Sequence, residues 1–213
     1  MDAYRYEAAT VAGFVQQLAV SHLSNGYHFY VPGRIPEHKD PLAVDRKLLE
    51  RYDIAVSKWT RYRRKKLGHA SVQYLRFERF FLLLATEGQH RLFEDEAKVI
   101  RNAARGQPIH FAGYSIGFYG GRASVRLSLD TYRNIRGELL RLSTRIDTGA
   151  IEHQIRHMPY EPYAPVRRQM FTIVRAVNKK RKTAGLALVD WRCVRSERRV
   201  VQALRPSTLG QGA

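Results

Sequence analysis

Cysteine is nearly absent: Cys193 is the single one in 213 residues. That excludes an internal disulfide and any zinc site built on several thiolates, and a lone thiol fits a reducing compartment. Long hydrophobic runs are missing too. The longest, Phe80 to Ala85, has six residues, whereas a membrane-spanning helix needs about twenty. Met1-Asp2-Ala3-Tyr4 carries no basic stretch leading into an apolar one, so no signal peptide is expected. There is no internal repeat and no low-complexity tract. No segment pairs a basic face with exposed Trp or Phe in the manner of a membrane-surface helix. These absences lead to the expectation of a soluble protein, cytoplasmic or in another reducing intracellular compartment, that does not engage a membrane.

Acids are scarce. The chain holds 19 Asp and Glu against 37 Lys and Arg, a formal charge of +18. The surplus is clustered. Lys58-Trp59-Thr60-Arg61-Tyr62-Arg63-Arg64-Lys65-Lys66 contains six bases, two aromatics and no acid. Between Arg167 and Arg205 stand twelve bases and only two acids, Asp190 and Glu197. Self-repulsion on this scale opposes compaction, so a polyanionic partner is expected, and nucleic acid is the first candidate. The apolar content of 44%, with 12 Tyr, 9 Phe and 2 Trp, is enough for a packed core rather than a disordered basic tail.

Periodicity supplies the elements. Val11, Phe14, Val15, Leu18 and His22 or Leu23 recur at helical spacing and Asn25-Gly26 ends the pattern, giving a first helix over roughly residues 3–24. Tyr27 to Val31 reads as a strand closed by Pro32-Gly33. Asp40-Pro41 forms an N-cap and first-turn pair for a helix with Val44, Leu48 and Tyr52 inward. A further helix over 57–68 carries the first basic cluster. Ala70 to Phe77 and Phe80 to Thr86, separated by Glu78-Arg79, form a hairpin; the second run does not alternate, so both its faces should be buried. A short helix is expected around 94–105. Ile109 to Phe118 and Arg122 to Ser128 flank a second hairpin turn, and Ser128 caps a long helix with Tyr132, Ile135, Leu139, Leu142 and Ile146 as its stripe. Three prolines between Pro159 and Pro165 read as a stiff connector. A helix from Pro165 to about Thr183 follows, and Leu186 to Val194 is a candidate last strand. The order predicts an α+β fold: an antiparallel sheet of two hairpins plus an N-terminal strand, with helices mainly on one face. Residues 1–158 form the body, 159–165 the connector and 166–213 a basic helical appendage.

The basic clusters carry the binding expectation. In the first, Lys58, Arg61, Tyr62, Arg63, Arg64, Lys65 and Lys66 are candidate contacts, with Lys58, Arg61 or Tyr62, and Lys65 along one face. Tyr52, Trp59 or Tyr62 could stack on a base, although Trp59 is expected to be a core anchor. In the second, the candidates are Arg167, Arg168, Lys179, Lys180, Arg181, Lys182, Arg195, Arg198 and Arg199. Lys179 to Lys182 complement their own helix dipole, but Arg167 and Arg168 sit in a first turn where positive charge is unfavourable, and a ligand phosphate there would resolve the conflict. Tyr27, Phe29, Tyr74, Tyr114, Phe118 and Tyr119 favour unpaired bases if they stack, and ordinary sheet packing if they do not.

Other constellations are weaker. His153 and His157 are four residues apart, but no Glu follows the first and no third ligand is evident. His28, His69, His90 and His110 include no pair two residues apart. Gly113 to Gly121 lacks phosphate-loop spacing. Arg192 and Arg195 could lower the Cys193 pKa, yet no local His partners the thiol. Glu94, Asp95 and Glu96 diverge around a helix. No catalytic residue, metal or cofactor is expected.

The element order from Tyr27 to Ile146 resembles the scaffold of the HUH single-strand nucleases, the group that holds tyrosine transposases and rolling-circle initiators. The strand that carries His-hydrophobic-His in that family reads Phe80-Phe81-Leu82-Leu83-Leu84-Ala85-Thr86 here, followed only by His90. The resemblance implies a single-strand or hairpin-binding scaffold associated with mobile DNA and carries over no catalytic residue. The expectation is a nucleic-acid-binding protein, for RNA or DNA. One alternative is a strand-transfer enzyme with a nucleophile among Tyr160, Tyr163 and Tyr119; the other is a structural component of a ribonucleoprotein.

Overall fold

The computed structural model describes residues 4–198 and 204–205. Among these, 4–108, 117–123 and 204–205 form one compact unit, and 109–116 with 124–198 form a second. This division differs from the expected body, connector and appendage. The class is α+β, with antiparallel sheets of four and three strands.

In the first unit, Thr10 caps a helical stretch by accepting the Gly13 N–H. It begins as α1 (Val11–Gln16), widens to a π-helical turn (Gln17–His22), and closes in a 3₁₀ turn (Leu23–Asn25). The expected helix start at residue 3 is too early. Residues 6–8 are extended and pair with the second strand, the Arg76 N–H donating to Tyr6 and the Ala8 N–H to Arg76. The four-stranded sheet is built from β1 (Phe29–Arg34), β2 (Val72–Phe77), β3 (Phe80–Ala85) and β4 (Arg101–Asn102), in the order β2-β3-β1-β4. Central β3 pairs with both β1 and β2, and Leu82 to Ala85 are all buried, as a run without alternation requires. Gly33 lies opposite Phe81, whose ring occupies the space a side chain at Gly33 would need.

Alternation along the strands sends Val31, Val72, Tyr74, Leu83 and Ala85 to one face. They pack there with Leu49 and Tyr52 of α2 (Pro41–Arg51) and its C-cap, and with Leu92 of α4 (Arg91–Asp95). On the opposite face the Phe14 ring meets Phe80 at 5.8 Å. The helix expected at 94–105 is instead one short turn that starts earlier, where His90 caps it by accepting the Leu92 N–H, and is followed by β4. The inward face of α2 holds a surprise: Asp45, 0% exposed. It accepts from the Tyr74 hydroxyl at 2.6 Å and Arg76 Nε at 3.0 Å, and Arg76 also pairs with Glu7, which pairs with Arg205. Burial pushes the Asp45 carboxyl above its ordinary range, against the opposing pull of Tyr74 and Arg76.

The three-stranded sheet has the order β5-β6-β7: β5 (Ile109–Phe111), β6 (Tyr114–Tyr119) and β7 (Arg122–Leu127). One strand was expected where β5 and β6 stand. Ala112 and Gly113 both have positive φ, at 44° and 81°, and turn it into a hairpin. In the second unit, Ser128 caps α5 (Leu129–Leu142) and Asp147 caps α6 (Thr148–His157). Then α7 (Ala164–Thr183) buries Val166, Met170, Ile173, Val174 and Val177, so it is a core helix of its unit rather than an appendage. Leu139 of α5 and Ile151 and Ile155 of α6 are buried alongside. The expected strand at 186–194 is irregular chain ending in a 3₁₀ turn (Trp191–Cys193).

Candidate nucleic-acid interface

The first basic cluster forms α3 (Lys58–Lys66), none of whose residues is buried. Ser57 caps it by accepting the Thr60 N–H at 3.1 Å. Two cations face the body and hold the helix there. Arg61 Nη1 donates to the Val56 carbonyl at 2.7 Å, and Arg64 reaches the Asp53 carboxylate and carbonyl. Their inward position sets the phase of the whole helix: Thr60, Arg61 and Arg64, each only partly exposed, face in, so Trp59, Tyr62, Arg63 and Lys66 form the outward stripe, with Lys58 and Lys65 exposed beside it. Of the expected face through Lys58, Arg61 or Tyr62, and Lys65, the Tyr62 alternative is the one presented: Lys58, Tyr62 and Lys65 are exposed, and Arg61 is turned to the body. Trp59 is not a core anchor; it is 75% exposed, and Tyr62 is 54% exposed. The Lys66 ammonium lies 4.9 Å from the Tyr62 ring centre. Lys58, Arg63, Lys65 and Lys66 make no ion pair with a described residue. Beside Lys65 runs a polar groove of about 380 Å³ bordered by His28, Asn102 and Arg105, with Glu87 as its one acid.

The second cluster is split between fold and surface. Arg181 is buried and donates to the carbonyls of Ala187, Ser143 and Ile146 at 2.5, 2.7 and 3.0 Å. Lys180 Nζ donates to the Leu140 carbonyl at 2.8 Å. Leu140, Ser143 and Ile146 belong to the last turn of α5 and the chain just beyond it. These two cations therefore cap a neighbouring helix's negative end rather than only their own. Arg195 donates to the carbonyls of Met158 and Tyr160 and lies over the Tyr160 ring. Arg198 lies over Tyr163, and Arg167 donates to the Ser196 carbonyl at 3.2 Å. Arg168, Lys179 and Lys182 are exposed, without an ion pair to a described residue. Arg199 lies outside the described residues. Arg175, passed over in the sequence as one base among many, shares the Lys179 and Lys182 face.

The sheet aromatics are engaged in packing. Tyr74 is buried; Tyr27 meets the Ser71 hydroxyl, Phe29 meets Phe93, Phe118 meets His28, and the Tyr114 hydroxyl accepts the Glu161 N–H. Tyr119 folds its ring over Gly117. Of the tyrosines considered as nucleophiles, Tyr160 is not exposed but buried, its hydroxyl has no partner among the described residues, and burial raises its pKa. Tyr163 is half-buried and likewise shifted up by burial. The His153 and His157 rings stack at 4.0 Å, with His157 Nδ1 at 2.8 Å from the His153 carbonyl. Among the described residues, no three side chains of His, Cys, Asp and Glu converge as a metal site. Burial pushes the Cys193 thiol up to about 11, the reverse of the shift its basic neighbours suggested. No described helix is long and apolar enough to cross a membrane. No protein-family model, curated protein or solved structure matches the chain.

Proposed function

We propose that the chain binds nucleic acid through α3, using cations for phosphates and the outward aromatics for unpaired bases. The supporting observation is the orientation of α3. A tryptophan left in water beside four uncommitted cations has no folding role to explain it, and large apolar residues exposed within a charged surface mark interaction sites. Base stacking on such a ring and phosphate contact by neighbouring Lys and Arg are the two halves of single-strand recognition. Arg61 and Arg64, fixed to the body, position the helix and are not offered as contacts. The resemblance of the element order expected from the sequence to the HUH scaffold points the same way, to single-stranded or hairpin ligands. Of the candidate nucleophiles Tyr160 is buried, Tyr163 half-buried and Tyr119 exposed; binding, which the surface of α3 supports, is preferred over a tyrosine-nucleophile reaction. The test is a titration of a labelled 20-nucleotide single strand with the wild-type chain and with a Lys58→Ala, Arg63→Ala, Lys65→Ala, Lys66→Ala variant. Affinity should fall at least about tenfold while the melting curve stays in place, since no altered side chain is buried. Equal affinities would remove α3 from the interface.

A further inference from the structure

Within the second unit, Phe171, Val174, Arg175, Asn178, Lys179 and Lys182 recur on α7 at three- and four-residue spacing and so share one face. Across from them stands the segment 186–191. Gly185, at φ 68°, reverses the chain, and the Leu186 N–H returns to the Arg181 carbonyl at 3.0 Å. Asn178 then brackets Val189, accepting its N–H at 2.8 Å and donating to its carbonyl at 2.9 Å. Asp190 spends its carboxylate on the Arg192 N–H at 2.9 Å, which sets the turn that carries Trp191. The segment is thus pinned to the helix by paired hydrogen bonds, and the space between them is a preformed groove of about 670 Å³.

The lining has two characters. Phe171, Val174 and Leu188 supply an apolar floor, and Trp191, 62% exposed, stands with its ring centre 6.4 Å from that of Phe171. Arg175, Lys179 and Lys182 supply a cationic rim; none is ion-paired to a described residue, and no carboxylate lines the groove. A purely apolar ligand would leave three cations unanswered. A bare phosphate would leave the indole and the phenyl ring in water. Charge complementarity and the aromatic pair together require a ligand with a flat apolar part and anionic flanks. We propose that the groove holds one unpaired nucleotide of a single strand, its base against Trp191 and Phe171 and its flanking phosphates on Arg175, Lys179 and Lys182. This site rests on the nucleic-acid reading above and deepens it, because it specifies a base-binding pocket on a different helix.

Trp59 and Trp191 are the only tryptophans, so a Trp59→Phe variant makes Trp191 the sole indole reporter. It is titrated at low salt with a 20-nucleotide oligothymidylate and with an abasic strand of equal length, while anisotropy of the labelled strands follows binding. The thymidylate strand should quench Trp191 and the abasic strand should not. Trp191→Ala should weaken thymidylate binding roughly tenfold and leave abasic binding unchanged, as loss of one stacked base requires. Strand binding without quenching, and unaltered by Trp191→Ala, overturns the pocket and leaves the nucleic-acid reading standing. Failure of both strands to bind overturns both. Quenching by an acidic amphipathic peptide and by neither strand assigns the groove to a protein partner and overturns the proposal.

Discussion

Arg181 and Lys179 are two residues apart on α7 and face different media. Lys179 projects into water on the groove rim, whereas Arg181 is buried with its guanidinium on three carbonyls. Replacing Arg181 by Met should therefore cost about 3 kcal/mol in urea denaturation, because it strips charge-assisted hydrogen bonds and leaves buried carbonyls without donors. Lys179→Ala should stay within about 0.5 kcal/mol of wild type. Equal effects would mean that Arg181 is not the anchor its geometry describes. His22 offers a second residue-scale test. It is buried, its Nδ1 has no partner among the described residues, and burial lowers its pKa from 6.5 to about 4. The unfolded chain protonates this ring first, so folding loses stability as pH falls from about 6.5 toward 4, with about 3 kcal/mol at stake. Relative to a His22→Leu variant, the wild type should lose stability across that window. Parallel stability curves for the two proteins would show that His22 ionises alike in both states. Arg181 gives no sign of burial in the sequence, where it is one of four consecutive bases; His22 stands at an inward helical spacing there, but its lack of a partner depends on the packing around it.

Legibility was better for elements, and it follows the range of the interactions involved. Caps are local, so Asp40-Pro41, Ser57 and Ser128 marked the starts of α2, α3 and α5 correctly. The β2–β3 hairpin was equally plain, since two runs and a two-residue turn are all contained in seventeen positions. What failed depended on distant partners. Tyr4, Tyr6 and Ala8 alternate like a strand, yet helical spacing further on absorbed them into α1; in fact residues 6–8 pair with β2. The phase of α3 was unreadable because Arg61 and Arg64 outcompete Trp59 for the inner face by finding carbonyls and a carboxylate beyond α2. The proline-rich stretch before α7 suggested a separable appendage, but the apolar stripe of that helix is buried. A Met170→Ala, Ile173→Ala double variant tests its standing. It should cost roughly 4 kcal/mol or more and speed amide exchange in α5, since each truncation removes a core side chain worth about 2–5 kcal/mol. Exchange in α5 that does not change would restore the appendage reading.

Across the whole molecule, the charge of +18 sorts into three employments. Arg51, Arg64, Arg76, Arg91 and Arg205 pair with carboxylates; Arg61, Arg79, Arg167, Lys180, Arg181 and Arg195 hold carbonyls; and others, among them Lys58, Arg63, Lys65 and Lys66 of α3 and Arg175, Lys179 and Lys182 of the α7 groove, make no ion pair with a described residue. The clustering that announced a polyanionic partner in the sequence thus overstated the number of cations free to meet it, and only the structure separates them. The account's central claim is that the uncommitted ones meet phosphates. Counterion release makes that claim measurable, since each neutralised phosphate of a single strand contributes a slope of about −0.7 to log affinity against log salt. The decisive measurement is the salt dependence of single-strand binding by the wild type and by an Arg63→Ala, Lys65→Ala, Lys66→Ala variant. The wild-type slope should lie at roughly −3 to −5, and the variant's should be shallower by about 2. A slope near zero, or one that the three substitutions leave unaltered, would contradict the account.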